Sequence, residues 1–330
     1  MAVLTVIRTI DAHAGGTPVR LIVDGAPRPA GKGMPQKRDW MKRHGDFLRR
    51  AALLAPRGHA DLIGAMLTEP VTPGADAGIL FCDAGGHPPL SGAATIAAAT
   101  IAIEKGLIVG PAPRLVFDTP VGTVYADARV EQRGGQPRVD AVRFTGVPSW
   151  VQAGGHPLKL GARELRVDIA CSGLFYAIVD TEAIGVPLHV ASIPDLRRLA
   201  AQIRDAAKSV ATPALDGVVF TGPPEDPEAH LRNVTIAASG AVDRSASATG
   251  TAAVMAVLDA MGLLQGAAGE EGTFVHESLI GTLHRGRIVR RTEVDGVSAI
   301  VPEIEGSAWI TGESTFYVDE EDPLKEGYEF

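Results

Sequence analysis

The sequence predicts an α/β protein of two similar domains, each a mostly antiparallel sheet wrapped around one central helix. Three observations support this class. The chain has 330 residues, which is enough for two domains of roughly 150 residues each. Its 38 glycines and 23 prolines predict many tight turns between short strands. Two apolar, Ala-rich segments at 93–105 and 249–261 predict helices that are buried on all sides.

The two buried helices begin alike, which indicates an internal duplication. The first begins with Ser91-Gly92-Ala93-Ala94-Thr95 and the second with Ser247-Ala248-Thr249-Gly250-Thr251, so both follow the pattern Ser-x-x-x-Thr. Each ends at a glycine, Gly106 or Gly262, at the same distance from its serine. The simpler alternative is that serine, a common N-cap residue, begins both helices by chance.

The remaining elements follow from apolar periodicity and from turn residues. In the first half we predict a helix at 35–54, because Pro35 suits a helix start and Trp40, Phe47, Leu48 and Leu54 have helical spacing. The predicted strands there are 4–10, 19–23, 62–67, 78–82 and two runs within 115–130. In the second half we predict a helix at 193–209 and strands at 141–144, 165–169, 175–179, 218–220, 233–238, 281–294, 298–302 and 308–318. The first domain is expected to cover 1–122 and 305–330, and the second 123–304.

Composition excludes several classes of protein. The net charge is −8 and no basic block is present, so a nucleic-acid partner is not expected. The most apolar stretch, 93–103, is too short to span a bilayer, and the first eleven residues lack a signal-peptide pattern. Two cysteines, Cys82 and Cys171, are too few for a disulfide scaffold or a zinc ribbon. We therefore expect a cytoplasmic protein without a membrane partner.

The paired helix starts indicate the chemistry. A helix N-terminus presents free N–H groups and a partial positive charge, which favour a bound carboxylate. Small residues there, such as Gly92, Ala93 and Gly250, let a ligand approach the backbone. Groups on either side of a bound α-carbon would suit removal or delivery of an α-proton, with N–H donors stabilising the enolate-like charge. No dinucleotide or phosphate-loop signature and no metal-ligand spacing occurs, so we expect neither cofactor nor metal.

Motifs along nearly the whole chain resemble those of the proline racemase family, which includes hydroxyproline 2-epimerases and trans-3-hydroxy-L-proline dehydratases. The motifs are Asp11-Ala12-His13, Gly86-His87-Pro88-Pro89-Leu90-Ser91-Gly92, Asp243-Arg244-Ser245, Thr249-Gly250-Thr251, Phe274-Val275-His276-Glu277-Ser278 and Asp322-Pro323-Leu324. The resemblance implies two pseudo-symmetric α/β domains of the diaminopimelate-epimerase and proline-racemase type. It also implies a ligand site in the cleft between them, no cofactor, and a homodimer.

The chain departs from this family at its two catalytic positions. The resemblance implies a Met-Cys-Gly-His motif at the first helix and Ser-Pro-Cys-Gly-Thr-Gly-Thr at the second, with the two cysteines as opposed acid and base. Here Ser91 and Ser247 occupy the cysteine positions, and Ala93 occupies that of the histidine. A thiol has a pKa near 8.5, whereas a serine hydroxyl is a much weaker acid that needs a neighbouring base. Efficient proline racemisation is therefore not expected.

Three functions remain open at this point. The first is dehydration of a 3-hydroxyproline, which needs only one base and is the function we favour. The second is racemisation of proline or epimerisation of 4-hydroxyproline. The third is binding of an imino acid without catalysis, with the carboxylate cradle kept and the bases lost. In each case the ligand is a proline-like imino acid.

The candidate site residues follow from the motifs. Ser91 and Ser247 are the predicted catalytic pair, although helix capping alone would explain both. The resemblance implies that Asp243 holds the ring nitrogen of the substrate, and that backbone N–H groups of the residues after each serine hold its carboxylate; these are Gly92, Ala93, Gly250 and Thr251. His87, four residues before Ser91, is added as a substrate-binding candidate. It could also act as a base for Ser91, although a surface-loop histidine is the simpler interpretation.

Overall fold

The computed structural model describes residues 4–108, 113–161, 163–264 and 273–329. The strands in these ranges are β1 (Leu4–Ala14), β2 (Thr17–Asp24), β3 (Ile63–Thr68), β4 (Ala77–Cys82), β5 (Arg114–Thr119), β6 (Gly122–Arg133), β7 (Gln136–Thr145), β8 (Ser149–Leu160), β9 (Arg163–Cys171), β10 (Phe175–Asp180), β11 (Gly217–Gly222), β12 (Leu231–Ala237), β13 (Val242–Asp243), β14 (Phe274–Ser278), β15 (Leu283–Val294), β16 (Val297–Gly306) and β17 (Ala308–Asp319). The α-helices are α1 (Met34–Trp40), α2 (Asp46–Leu53), α3 (Gly92–Glu104), α4 (Thr181–Ile184), α5 (Ile193–Ala207) and α6 (Ala248–Ala260).

The chain divides into two units. The first comprises Met1–Phe144 and Ser307–Phe330, and the second comprises Thr145–Gly306. The first unit extends beyond residue 122, where the sequence prediction ended it, because β6 pairs antiparallel with β5 and stays with it. The chain returns to the first unit at 307 through β17, which pairs antiparallel with β1.

The two units repeat one strand pattern, with antiparallel and parallel pairs in the same order. In the first unit, β2 is antiparallel to β1 and parallel to β3, β3 is antiparallel to β4, β4 is parallel to β5, and β5 is antiparallel to β6. In the second unit the same relations join β9, β10, β11, β12, β14 and β15. In both units the buried helix lies between the fourth and fifth strands of this set, as an internal duplication requires. This confirms the predicted fold class.

The central helices α3 and α6 are enclosed by sheet. Every residue of α3 from Gly92 to Ala102 and every residue of α6 from Ala248 to Val257 is buried. Helix α3 contacts β1, β2, β3, β6 and β17, and α6 contacts β8, β9, β10, β15 and β16. Alanine-rich helices suit this position because their small side chains let strands approach from every side.

The predicted helix at 35–54 is interrupted in the structure. Helices α1 and α2 are separated by a turn of π-helix over Met41–Gly45. Strand β8 was not predicted, since Gly154, Gly155 and Pro157 disguise its period, and β13 is too short to give a pattern. No helix within the described residues is long and apolar enough to cross a membrane.

The enclosure of α3 makes a prediction about stability. Ile96 is fully buried in that helix, so Ile96→Ala should lower the free energy of unfolding by about 2–5 kcal/mol through lost apolar contact and a residual cavity. Urea denaturation measures the change. Leu107→Ala, at a leucine that is 41% exposed, is the control and should cost less than about 0.5 kcal/mol. Equal losses in the two variants would contradict the enclosed position of α3.

Candidate functional site

The first helix start is built around Ser91, the N-cap of α3. Its backbone is extended, and its Oγ accepts a hydrogen bond from Ala94 N at 3.2 Å. Thr95 closes the turn, because its Oγ1 donates to the Ser91 carbonyl at 2.8 Å. The repeated Ser-x-x-x-Thr pattern is therefore a capping unit at this helix. The first-turn N–H groups, including those of Gly92 and Ala93, have no acceptor within the helix and point toward its N-terminal end.

The side chain of His87 is buried and bonded to α2, contrary to the expectation of a surface-loop residue. Only 5% of its side chain is exposed, and its Nε2 lies 3.1 Å from Asp46 Oδ1. Asp46 also accepts two hydrogen bonds from Arg49, and Arg49 donates to the carbonyls of Asp83 and Ala84. Burial lowers the pKa of His87, although Asp46 opposes the shift. The hydrogen bond of His87 thus goes to α2, and none joins it to Ser91 in the part of the chain described.

The second helix start is built around Ser247, the N-cap of α6. Its Oγ accepts from Gly250 N at 3.2 Å, and its own N–H donates to Ser245 Oγ at 3.0 Å. Its φ of 52° is in the left-handed region, which is uncommon for a residue other than glycine. Such a conformation costs roughly 1–3 kcal/mol and persists only where the surroundings impose it. The two serines therefore cap equivalent helices with different backbone geometry.

Asp243 organises the loop before Ser247. Its Oδ1 accepts from both the N–H and the hydroxyl of Ser245, at 3.1 and 2.7 Å. A chain of hydrogen bonds therefore runs from the Asp243 carboxylate through Ser245 to the Ser247 backbone. Asp243 itself is half-buried. The structure thus brings these two predicted site residues together, and it places Gly250 and Thr251 in the first turn of the same helix.

Tyr176 is a residue at this helix start that sequence reasoning did not single out. Its hydroxyl lies 2.8 Å from Thr249 Oγ1, and Ser172 Oγ donates to the Thr249 carbonyl at 2.9 Å. Burial raises the pKa of Tyr176 far above its ordinary value, while hydrogen bonding by Thr249 and, more weakly, by Ser247 acts to lower it. The phenol is therefore protonated and serves as a hydrogen-bonding group.

His276, on β14, forms a hydrogen bond to Thr251 in the first turn of α6, and the neighbouring groups indicate its tautomer. Thr251 Oγ1 donates to the Ala246 carbonyl at 2.8 Å, so it accepts from His276 Nδ1, 2.9 Å away. Asn233 Nδ2 lies 2.7 Å from His276 Nδ1 and 2.8 Å from Nε2, and in the tautomer set by Thr251 it donates to Nε2; it also donates to the Ala246 carbonyl at 2.9 Å. Both ring nitrogens are used, and the network ties α6 to β12 and β14.

His284 faces the same helix. It lies directly opposite His276 in the antiparallel pair of β14 and β15, so the two rings share one face of the sheet. Gly286, two residues along β15, also faces α6, since a Cβ there would collide with Met255. Burial lowers the pKa of His276 to about 3 and that of His284 to about 4, and the Asp243 carboxylate opposes the second shift. Both imidazoles are therefore neutral at neutral pH.

Three buried polar atoms at this helix start have no hydrogen-bond partner within the described ranges. They are Asn233 Oδ1, Thr235 Oγ1 and His284 Nδ1. Thr235 lies opposite Asp243 in the register of β12 and β13, and its Oγ1 approaches Gly250. Together with the polar residues around them, these three residues form what we call the polar layer. Its members are Asn233, Thr235, Asp243, Thr251, His276 and His284. A buried polar atom without a partner costs about 1–3 kcal/mol, so such a cluster indicates a place for a polar ligand.

The two cysteines do not supply a reactive thiolate. Burial raises the pKa of the Cys82 thiol to about 12, and the neighbouring Asp83 carboxylate raises it further. Burial also raises the pKa of Cys171, although the backbone of Gly173 opposes the shift. Both thiols are therefore protonated near neutral pH, as expected of small core residues.

A cavity of about 290 Å³ lies elsewhere in the first unit, beside Asp11, Arg20, Arg57 and His59. Its cationic side chains are already engaged. Arg20 bonds both Asp11 oxygens and two backbone carbonyls, and Arg57 bonds three backbone carbonyls. These arginines serve the structure, so the helix starts remain the better candidates for a ligand site.

Comparison with known proteins gives one consistent result. A family model described as proline racemase matches residues 9–329. The chain is 38% identical over 334 residues to a protein named proline racemase from Clostridioides difficile, covering 98% of this chain and 97% of that one. It is 35% identical over 340 residues to a protein named trans-3-hydroxy-L-proline dehydratase from Azospirillum brasilense, covering 99% of each. A solved hydroxyproline epimerase from Agrobacterium vitis, with bound trans-4-hydroxy-L-proline, has a TM-score of 0.89 at 27% identity, over 99% of this chain and 95% of that chain.

The buried histidines predict how stability depends on pH. Both have folded-state pKa values below the ordinary 6.5, so the unfolded chain binds more protons in acid. Their contribution is fully present above pH 6.5 and is lost as the pH falls toward about 4, at up to roughly 1.4 kcal/mol per pH unit for each. His284→Phe should remove about one proton from the slope measured by urea denaturation between pH 6.5 and 5. His44→Gln, at an exposed histidine, is the control, and a slope unchanged by His284→Phe would contradict the assignment.

Proposed function

Since the chain belongs to the proline racemase family, we propose that it is a cofactor-independent enzyme that removes the α-proton of a proline-like imino acid. The favoured reaction is dehydration of a 3-hydroxyproline. A relative named for that reaction matches over 99% of both chains. We further propose, from the family resemblance, that the enzyme is cytoplasmic and acts as a homodimer.

The observation that favours dehydration is the difference between the two helix starts. Around Ser247 lie Asp243, the Tyr176 phenol and two neutral histidines. Four residues before Ser91 in the chain is His87, and its hydrogen bond goes to Asp46. Racemisation by two opposed groups needs a competent acid or base on each side of the α-carbon. Dehydration needs one base for the α-proton, and this asymmetry suits it.

Substrate binding follows from the same elements. The carboxylate is held by first-turn N–H groups of Gly92, Ala93, Gly250 and Thr251, where the helix dipoles favour negative charge. The ammonium group is held by the carboxylate of Asp243. These contacts fix the α-carbon, and the N–H groups stabilise the enolate-like charge that develops when the proton leaves.

The reaction breaks the Cα–H and Cβ–O bonds of the substrate. The α-proton passes to the Ser247 alkoxide, which forms when the hydroxyl loses its proton to solvent, and the C–H electron pair forms the Cα=Cβ bond. The β-hydroxyl takes up a proton and leaves as water. The cyclic enamine then tautomerises to a cyclic imine. The role that we propose for Ser91, from the family resemblance, is to orient the leaving hydroxyl.

A second candidate is racemisation of proline or epimerisation of 4-hydroxyproline. The relative named proline racemase, at 38% identity, and the epimerase structure favour it. In this reaction Ser91 and Ser247 act as the opposed pair, each through a neighbouring group. The product separates the two candidates, because epimerisation exchanges the α-hydrogen with solvent and keeps the hydroxyl.

Proton NMR of the protein in heavy water, with proline and the 3- and 4-hydroxyproline isomers as separate substrates, tests the proposed function. We expect trans-3-hydroxy-L-proline to lose its α-proton signal while a cyclic imine forms. Exchange of the α-proton without elimination would establish the second candidate instead. If every α-proton signal persists while an imino acid still raises the melting temperature, the protein is a binding homologue and both enzymatic proposals are wrong.

Substitution of the two serines tests their roles. We expect Ser247→Ala to lower turnover by 100-fold or more, within the range that a general acid or base contributes, and Ser91→Ala to lower it by about tenfold. Each should also cost about 1 kcal/mol of stability through the lost cap. Turnover is measured by NMR and stability by urea denaturation. Ser247→Cys is the matched control, since a thiol ionises more readily than a hydroxyl and its thiolate accepts a proton. Full turnover in both alanine variants would reduce the serines to capping residues.

A further inference from the structure

The polar layer contains one imidazole, that of His284, with a buried nitrogen whose hydrogen-bonding capacity is unused among the described residues. His284 is 2% exposed, and its Nδ1 has no hydrogen-bond partner within the described residues. His276, directly across the strand pair and equally buried, has both ring nitrogens engaged. The two histidines are therefore cross-strand neighbours on one face of the sheet. They differ in that the ring nitrogens of His276 have hydrogen-bond partners and Nδ1 of His284 has none among the described residues.

The direction of the His284 ring is set by the strands. Since His276 contacts Thr251 in the first turn of α6, the ring opposite it is on the same side of the sheet. Gly286, at the next position on that face of β15, abuts α6. Thr235, opposite Asp243 in the ladder, also faces the helix start, at Gly250. His284 and the Asp243 carboxylate therefore face the same end of α6, and the carboxylate acts electrostatically on the imidazole.

The ligand chemistry follows from the two acceptors. A neutral imidazole has one nitrogen that accepts a hydrogen bond, and a carboxylate has only acceptors. The ring nitrogen of a proline-like imino acid is a secondary ammonium with two N–H donors. One carboxylate oxygen and one imidazole nitrogen match those two donors, and the buried imidazole nitrogen is costly to leave without a partner.

We propose that His284 Nδ1 accepts the second N–H of the bound ammonium group, beside the Asp243 carboxylate, and so selects secondary-amine ligands. This inference rests on the proposed function, because it assigns a partner to the nitrogen of the same imino acid. It makes His284 a specificity-determining residue and leaves proton removal at the α-carbon to Ser247.

Isothermal titration with two probes tests the proposal. The probes are L-proline and (S)-tetrahydrofuran-2-carboxylate, which has a ring of the same size with an oxygen in place of the N–H groups. We expect His284→Phe to weaken L-proline about tenfold, equivalent to about 1.4 kcal/mol, and to leave the oxygen analogue within twofold of the wild type. His284→Asn, which can place an oxygen near the position of Nδ1, should restore most of the affinity for L-proline.

His276→Asn is the matched control. It replaces the equally buried neighbour whose nitrogens are already engaged, so it should change the affinities for the two probes by the same factor. Equal losses of affinity for both probes in His284→Phe, or no loss for either, would overturn the proposed role of His284. Binding of L-proline by the wild type would still support the proposed function in that case. Failure of the wild type to bind any imino acid would overturn both. Melting temperatures of all variants confirm that the compared proteins are folded.

Discussion

Burial of two apolar helices inside their own sheets is the constraint on which the rest of this molecule depends. Helices α3 and α6 are buried over nearly their whole length, so their sides offer nothing to a polar ligand. Their N-terminal ends are the exception, because the first-turn N–H groups have no acceptor within the helix. Capping by Ser91 and Ser247 satisfies one N–H at each helix and leaves others for a carboxylate. The carboxylate binding that we propose uses these free N–H groups.

The two repeated units supply two such helix starts, and these differ. At α3 the serine has an extended backbone and the nearby histidine is bonded to α2. At α6 the serine has a positive φ, and the polar layer on β12 to β15 lies against the helix start. Burial keeps His276 and His284 neutral, so they act as hydrogen-bonding groups at neutral pH. The second unit thus contributes most of the polar chemistry, which is why a one-sided proton removal fits the molecule better than a symmetric exchange.

Much of the fold could be predicted from the sequence, since its strongest signals are local. The Ala-rich helices, their serine caps and their terminal glycines are each contained in a short segment, and their repetition predicted two like units. The interrupted helix at 34–53 and strand β8 could not be predicted, because a π-helical turn and glycines within a strand weaken the periodic pattern. The motifs singled out Asp243 and Ser247, which the structure joins through Ser245 at one helix start. The polar layer was not predictable, because Asn233 and His276 are far apart in the chain and meet only through the pairing of β12 with β14.

A crystal structure of the protein with bound L-proline would test the central claim most directly, since L-proline has no 3-hydroxyl group to eliminate. The account predicts that the carboxylate accepts hydrogen bonds from the first-turn N–H groups, including those of Gly250 and Thr251. It also predicts the ring nitrogen beside Asp243 and the α-carbon facing the Ser247 hydroxyl. Proline bound away from both helix starts, for example in the cavity beside Arg57 and His59, would contradict the claim that buried helix ends create the site.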